Sequence, residues 1–167
     1  MALALLAATL VTSCAGGDRL GTAWGDGAFD SNGERIYFTA TSERSGPIGY
    51  SGGVEPGGMM MGGRLTCASC HGADARGGTH VMHMDEMTAP DIRWSALAGH
   101  GDEHQDETEG EEPHEEEPAY DLDTFALAVI EGRHPDGRSL SKEMPRWRMS
   151  EADLADLAAY LQSLSDA

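Results

Sequence analysis

Cys67-Ala68-Ser69-Cys70-His71 is the stretch on which the reading of this chain turns. Cys-x-x-Cys-His is the attachment signature of a c-type haem. Two thiols three positions apart on a helical turn suit the separation of the two porphyrin vinyl groups. The His that follows them is placed to put an imidazole nitrogen on the iron. Other uses of a Cys pair fit less well. A structural zinc site needs a second short-spaced pair of ligands, and no second Cys pair exists. A redox-active pair of the thioredoxin kind needs a βαβ surround. Here the flanks are glycine-rich, Gly62-Gly63-Arg64-Leu65-Thr66 before and Gly72-Ala73-Asp74-Ala75-Arg76-Gly77-Gly78 after. The expected cofactor is one covalent haem c, held by Cys67, Cys70 and His71.

With this motif the chain resembles the class I cytochromes c. The resemblance is close from Asp121 to Leu164, and with Cys67 to Gly78 it covers the parts that hold the haem. It implies an all-α fold, a few helices around one covalent haem, joined by long loops. It also implies roles for residues outside the motif. Met144-Pro145, just before the last helix, matches the place of the distal ligand, so His71 and Met144 are the expected axial pair. A thioether favours ferrous iron and raises the potential relative to two imidazoles. His134, Met149 and the cluster His80, Met82, His83, Met84 and Met87 are its rivals. Pro90, in Ala89-Pro90-Asp91-Ile92-Arg93-Trp94, is the match for the residue whose carbonyl holds the other nitrogen of the axial His, fixing its orientation and basicity. Arg93 and Trp94 either reach a haem propionate or are surface and core. Gly33 and Tyr37, four apart on one helical face, match the small and aromatic pair that packs the first helix on the last, where Tyr160 is the available aromatic.

The length, 167 residues, is that of one domain. A covalent haem adds a large apolar body to a domain that buries little surface of its own. The formal charge of −18 argues against nucleic acid, whose phosphates need Lys and Arg. It predicts a basic contact surface on any partner steered by charge.

Cysteine arithmetic adds a third element. Of the three cysteines, haem attachment leaves Cys14. An apolar run from Met1 to Ser13 precedes it, too short to span a bilayer and suited to the h-region of an export signal. No Lys or Arg precedes the run, which departs from the usual leader. Val11-Thr12-Ser13-Cys14 resembles a lipobox, so Cys14 is the expected lipidation site. The chain then divides into a signal peptide at 1–13, a glycine-rich flexible tether at 14–27 and a cytochrome c domain at 28–167. An exported, membrane-anchored lipoprotein on the periplasmic or outer-surface side agrees with the resemblance, because that family has its haem joined outside the cytoplasm.

Within the domain, a helix is expected around Asp30 to Ser42, with Ser31 or Asn32 as cap. Ser45 to Gly63, with eight glycines and two prolines, is expected to be an irregular loop. Its Met59-Met60-Met61 and the His80 to Met87 cluster are soft ligands that would suit Cu(I), or flexible apolar side chains beside a haem. Gly99 to Ala119 has ten acidic residues, no Lys or Arg, and three histidines. Such a composition buries no core and reads as a disordered insertion. From Tyr120 a helix places Leu122, Phe125, Val129 and Ile130 on one stripe, with Gly132 as its stop. The last helix starts at Ser150, with Asp153 three positions on, and carries Leu154, Leu157, Ala158 and Leu161 on its apolar face.

These readings converge on an electron carrier, not an enzyme, shuttling single electrons between redox partner proteins such as membrane-bound respiratory complexes. The alternatives are a haem enzyme or gas sensor with an open distal site, and a metal-handling lipoprotein built on the acidic insertion and Met clusters.

Overall fold

The computed structural model describes residues 28–53, 64–82, 85–100 and 118–165. Residues 1–27, where a leader, a tether and lipidation at Cys14 were expected, lie outside the described residues, as do the methionines at 59–61, His83, Met84 and residues 101–117 of the acidic insertion.

Ser31 opens α1 (Asn32–Thr39), its hydroxyl accepting the Glu34 N–H at 3.1 Å, and Ala40 closes it in the left-handed region. Gly33, Ile36 and Tyr37 form its buried face, as their three- and four-residue spacing requires. At the other end of the chain Ser150 caps α4 (Glu151–Ser163) by accepting from the Asp153 N–H at 3.2 Å. Leu154, Leu157, Ala158 and Leu161 are buried along it. The two helices touch at Gly33. A Cβ there would overlap the Asp156 carbonyl and stand 2.8 Å from Cβ of Tyr160. Beside this contact the rings of Tyr37 and Tyr160 lie 5.3 Å apart, the small and aromatic pairing that the sequence suggested. Gly33→Ala should therefore cost about 1–3 kcal/mol, the usual range for overpacking. Urea unfolding followed by circular dichroism measures it; a variant as stable as the parent would mean that the helices yield at this point.

A wholly helical description needs correction. Short antiparallel strands accompany the helices: β1 (Thr41–Ser42), β2 (Gly46–Pro47), β3 (Gly49–Ser51), β4 (Gly78–Met82), β5 (Asp85–Ala89) and β6 (Arg146–Arg148). They pair as β1 with β2, β3 with β6, and β4 with β5. Residues 46–51 are thus extended where an irregular loop was expected. Ile48 is buried there, and Tyr50, two positions on, lies against Trp147 with ring centroids 5.1 Å apart. That alternation is a strand's period, hidden in the sequence by the glycines around it.

α3 (Leu122–Glu131) starts from Asp121, which exchanges capping bonds with Thr124, and stops at Gly132 with φ 68°. Its buried face is Phe125, Ala128 and Val129, whereas Leu122 and Ile130 are 54% and 40% exposed. The expected stripe was drawn too wide. Phe125 centres the face between Ala128 and Val129, and the turn of roughly 100° per residue carries Ile130 out of it. No helix among the described residues is long and apolar enough to cross a membrane.

Asp153 ties the two ends of the chain together. It is 1% exposed and accepts from the Ser42 hydroxyl at 2.6 Å, the Ser150 hydroxyl at 2.8 Å, Arg44 at 3.1 Å and the Asn32 amide at 3.3 Å. Burial alone would raise its pKa, but these bonds together outweigh it and hold the carboxyl below its ordinary value. A depressed folded-state pKa gives stability that is present above the unfolded value of about 4 and lost as pH falls through the folded value. The urea midpoint should hold steady from neutral pH to about 5 and drop below about 4. Asp153→Asn should lower the neutral-pH stability by about 1–3 kcal/mol and flatten the acid drop. An unchanged acid limb would assign that drop to other carboxylates.

Candidate haem-binding site

α2 (Ala68–His71) is a single helical turn, and Cys67 stands at its N-terminal cap. The turn and its cap carry both thiols and the imidazole of the attachment motif on five consecutive backbone positions. Cys67 and Cys70 are half-buried and not joined in a disulfide, and His71 is buried. Burial pushes the Cys67 thiol up to about 12 and raises that of Cys70. Reactive redox pairs need a depressed thiol pKa, so the environment of this pair opposes the thioredoxin-like reading.

The His71 ring is held from behind. Its Nδ1 lies 2.9 Å from the Pro90 carbonyl oxygen. A carbonyl only accepts, so Nδ1 carries the proton and Nε2 is the nitrogen with a lone pair for a ligand. Gly77 brings Pro90 to this position. Its φ is +75°, its N–H donates to the His71 carbonyl at 2.9 Å, and a Cβ on it would overlap Ala89 O and approach the Pro90 carbonyl to 2.6 Å. The Ile92 N–H then donates to Ala75 O at 2.8 Å, closing the loop behind the motif. The role of Gly77 was not read from the sequence, where the glycines after the motif counted only as composition. Tyr37 adds a further tie by donating its hydroxyl to Gly72 O at 2.6 Å.

Above α2 lies a cavity of about 360 Å³. Cys67, Cys70 and His71 line it on one side, and Met87, Ala89, Pro90 and Ile92 extend that wall. Phe125, Ala128 and Val129 of α3 and Leu157 and Leu161 of α4 contribute the apolar interior. Leu140, Met144, Pro145 and Trp147 line the segment leading into α4. Pro145 and Trp147 are buried there. β6 fixes this segment by pairing with β3, Tyr50 opposite Trp147 and Ser51 opposite Arg146.

Other residues singled out from the sequence fall elsewhere. Met149 is half-buried and packs against the core, and it is not among the cavity-lining residues. His134 does line the cavity, with its Nδ1 3.1 Å from the Tyr120 hydroxyl. Arg93 and Trp94 are absent from the lining. Arg93 forms a fork on Asp91, with Nη2 to Oδ2 at 2.6 Å and Nε to Oδ2 at 3.0 Å. Burial would raise the Asp91 carboxyl, and Arg93 more than offsets that. The Trp94 ring packs edge-on against Phe125 at 5.7 Å.

Two thiols and an imidazole on one turn, facing an apolar cavity with a thioether on its wall, are the donor set of a haem c site. The site therefore defines a protein that carries haem through thioether bonds to its own backbone turn. The family model for Cytochrome c matches residues 64–165, more than half of the chain, and takes in every element from α2 to α4. The chain belongs to the cytochrome c family. It is a haem-binding electron-transfer protein with covalently bound haem c. Comparison with curated proteins and with solved structures gave no match.

Proposed function

We propose that this cytochrome carries single electrons on the outer side of the cytoplasmic membrane, with His71 and Met144 as the two axial ligands. The observation that carries this reading is the shared cavity. His71 is on one wall with Nδ1 committed to Pro90 O, and Met144 lines the segment before α4. When bound, haem c supplies a one-electron couple. The chain excludes water from it with Phe125, Val129, Leu157 and Leu161, which favours a raised potential. It orients the imidazole through Pro90, which raises the basicity of Nε2. With His71 and Met144 both holding the iron, the haem would offer no place for a substrate, which suits outer-sphere transfer.

The apolar leader and the lipobox-like Val11-Thr12-Ser13-Cys14 support export and lipid anchoring at Cys14. In that setting the partners are other redox proteins, including membrane-bound respiratory complexes. The test is the visible spectrum of the purified protein, oxidised and reduced, with and without carbon monoxide. A low-spin spectrum with the ferric thioether charge-transfer band, unmoved by the gas, is the expected result. A high-spin spectrum that shifts with carbon monoxide would replace this reading with an open-site haem enzyme or sensor.

A further inference from the structure

Arg146 lies two residues beyond Met144, and its guanidinium turns back onto the segment that carries it. Nη2 donates to Leu140 O at 3.2 Å and to Ser141 O at 3.3 Å. Nη1 donates to Ser141 O at 3.3 Å and to Met144 O. Carbonyls from both ends of a five-residue loop thus converge on one planar cation. Glu143 N–H donates to the Ser141 hydroxyl at 3.2 Å, and Gly53 N–H donates to Lys142 O at 3.2 Å. The loop's own backbone closes one turn, Met144 N–H to Ser141 O at 3.3 Å, and Leu140 N–H donates to Gly132 O at 2.8 Å. Half-buried carbonyls need donors, and here one side chain supplies those of Leu140 and Met144 and also reaches the exposed Ser141 carbonyl.

The arginine reaches this position because α3 ends in glycine. A Cβ on Gly132 would overlap Nε, Cζ and Nη2 of Arg146. Gly132 therefore does two things: its φ of +68° terminates α3, and its missing side chain leaves the slot through which Arg146 passes. The slot lies at the C-terminal end of α3, where a cation is favoured by the helix dipole. Lysine would not reproduce the arrangement. A single ammonium cannot present two parallel donor pairs to carbonyls spread over five residues.

We infer that Arg146, seated in the Gly132 slot, is a positioning residue for the Met144 thioether: it holds the loop closed so that the sulfur stays on the iron. This rests on the reading of Met144 as axial ligand. It makes the closed loop, and so the ligation of the site, depend on a residue that is not among those lining the cavity.

The test uses exogenous imidazole as a probe, because it can bind ferric iron only when the thioether has left. Apparent affinity is intrinsic affinity scaled by the open fraction. Loss of one charge-assisted hydrogen bond shifts such an equilibrium by about tenfold or more. Holoprotein with Arg146→Gln should therefore bind imidazole about tenfold more tightly than the parent and show a weaker ferric thioether band. Arg146→Lys, which keeps the charge, should lie between them and decides the matter if the Gln variant does not fold. Arg44→Gln serves as control, since it weakens the distant tie between the β1–β2 turn and α4 and should lower the melting temperature without changing imidazole affinity. Equal affinities in the parent and both Arg146 variants would overturn the inference. So would an Arg44→Gln shift as large as theirs, which would reduce Arg146 to general stability. A parent protein lacking the thioether band would overturn the Met144 reading and this inference together.

Discussion

Met144→Ala should abolish the ferric thioether charge-transfer band, open the iron to carbon monoxide and lower the reduction potential while leaving the haem attached. The attachment is through Cys67 and Cys70, which the substitution leaves in place, so the pigment persists and only its ligation changes. A thioether stabilises ferrous iron relative to water or a second imidazole. Axial ligands as a group span roughly 0.8 V, and the change of one neutral soft ligand should take on the order of 0.1–0.3 V of that range. Spectroelectrochemical titration of parent and variant gives the number. His134, a potential donor on the cavity wall alongside Met87, is hydrogen-bonded to Tyr120. If Met144→Ala kept a low-spin spectrum closed to carbon monoxide and His134→Ala opened it, the ligand would be the histidine.

Replacing Cys67 and Cys70 together with alanine should have the larger effect, because it removes the fold along with the pigment. Without thioether bonds no haem is covalently retained. The space it leaves, about 360 Å³ lined by Phe125, Val129, Leu157 and Leu161, must collapse or stand empty. At about 24 cal/mol per Å³ of unfilled cavity, the cost of an uncollapsed void is about 9 kcal/mol. That is comparable to the whole stability of an ordinary domain, about 5–15 kcal/mol. The double variant should therefore lack a cooperative unfolding transition. Mass spectrometry should give the mass of the bare chain. A sharp melt of that bare chain would show that the helices pack without the haem.

The attachment turn was legible in the sequence because its chemistry is local. Two thiols and an imidazole must share one helical turn, and five consecutive residues suffice to state it. Helix ends were legible for a similar reason: Ser31, Ser150 and Gly132 act on the backbone within three or four positions of themselves. The packing of Gly33 and Tyr37 on the last helix spans most of the chain, and only the resemblance could suggest it. Arg146 carries no signal in the sequence, since its partners are carbonyls, which every residue possesses. Gly77 was hidden among neighbouring glycines, and only the approach of Pro90 distinguishes it. Asp153 looked like a capping residue, which it is, but its bonds to Asn32, Ser42 and Arg44 come from more than a hundred positions away. The width of the α3 stripe was misjudged because periodicity shows which residues share a side, not where the cavity lies.

The clasp between the ends of the chain also sets an order of assembly. Asn32 and Asp156, which meet through a bond of 2.7 Å, are 124 positions apart. A chain made from its N-terminus presents α1 first and α4 last, so α1 lacks its α4 surface until synthesis is nearly complete. The attachment motif lies between them and waits in an open chain for that whole interval. Closing so long a loop is also the slow, late step of folding. Thiol chemistry runs through the thiolate, and the folded environment raises both thiol pKa values. The long reach of the α1–α4 contact thus works as a delay line: the fold closes around Cys67 and Cys70 only when the last helix arrives.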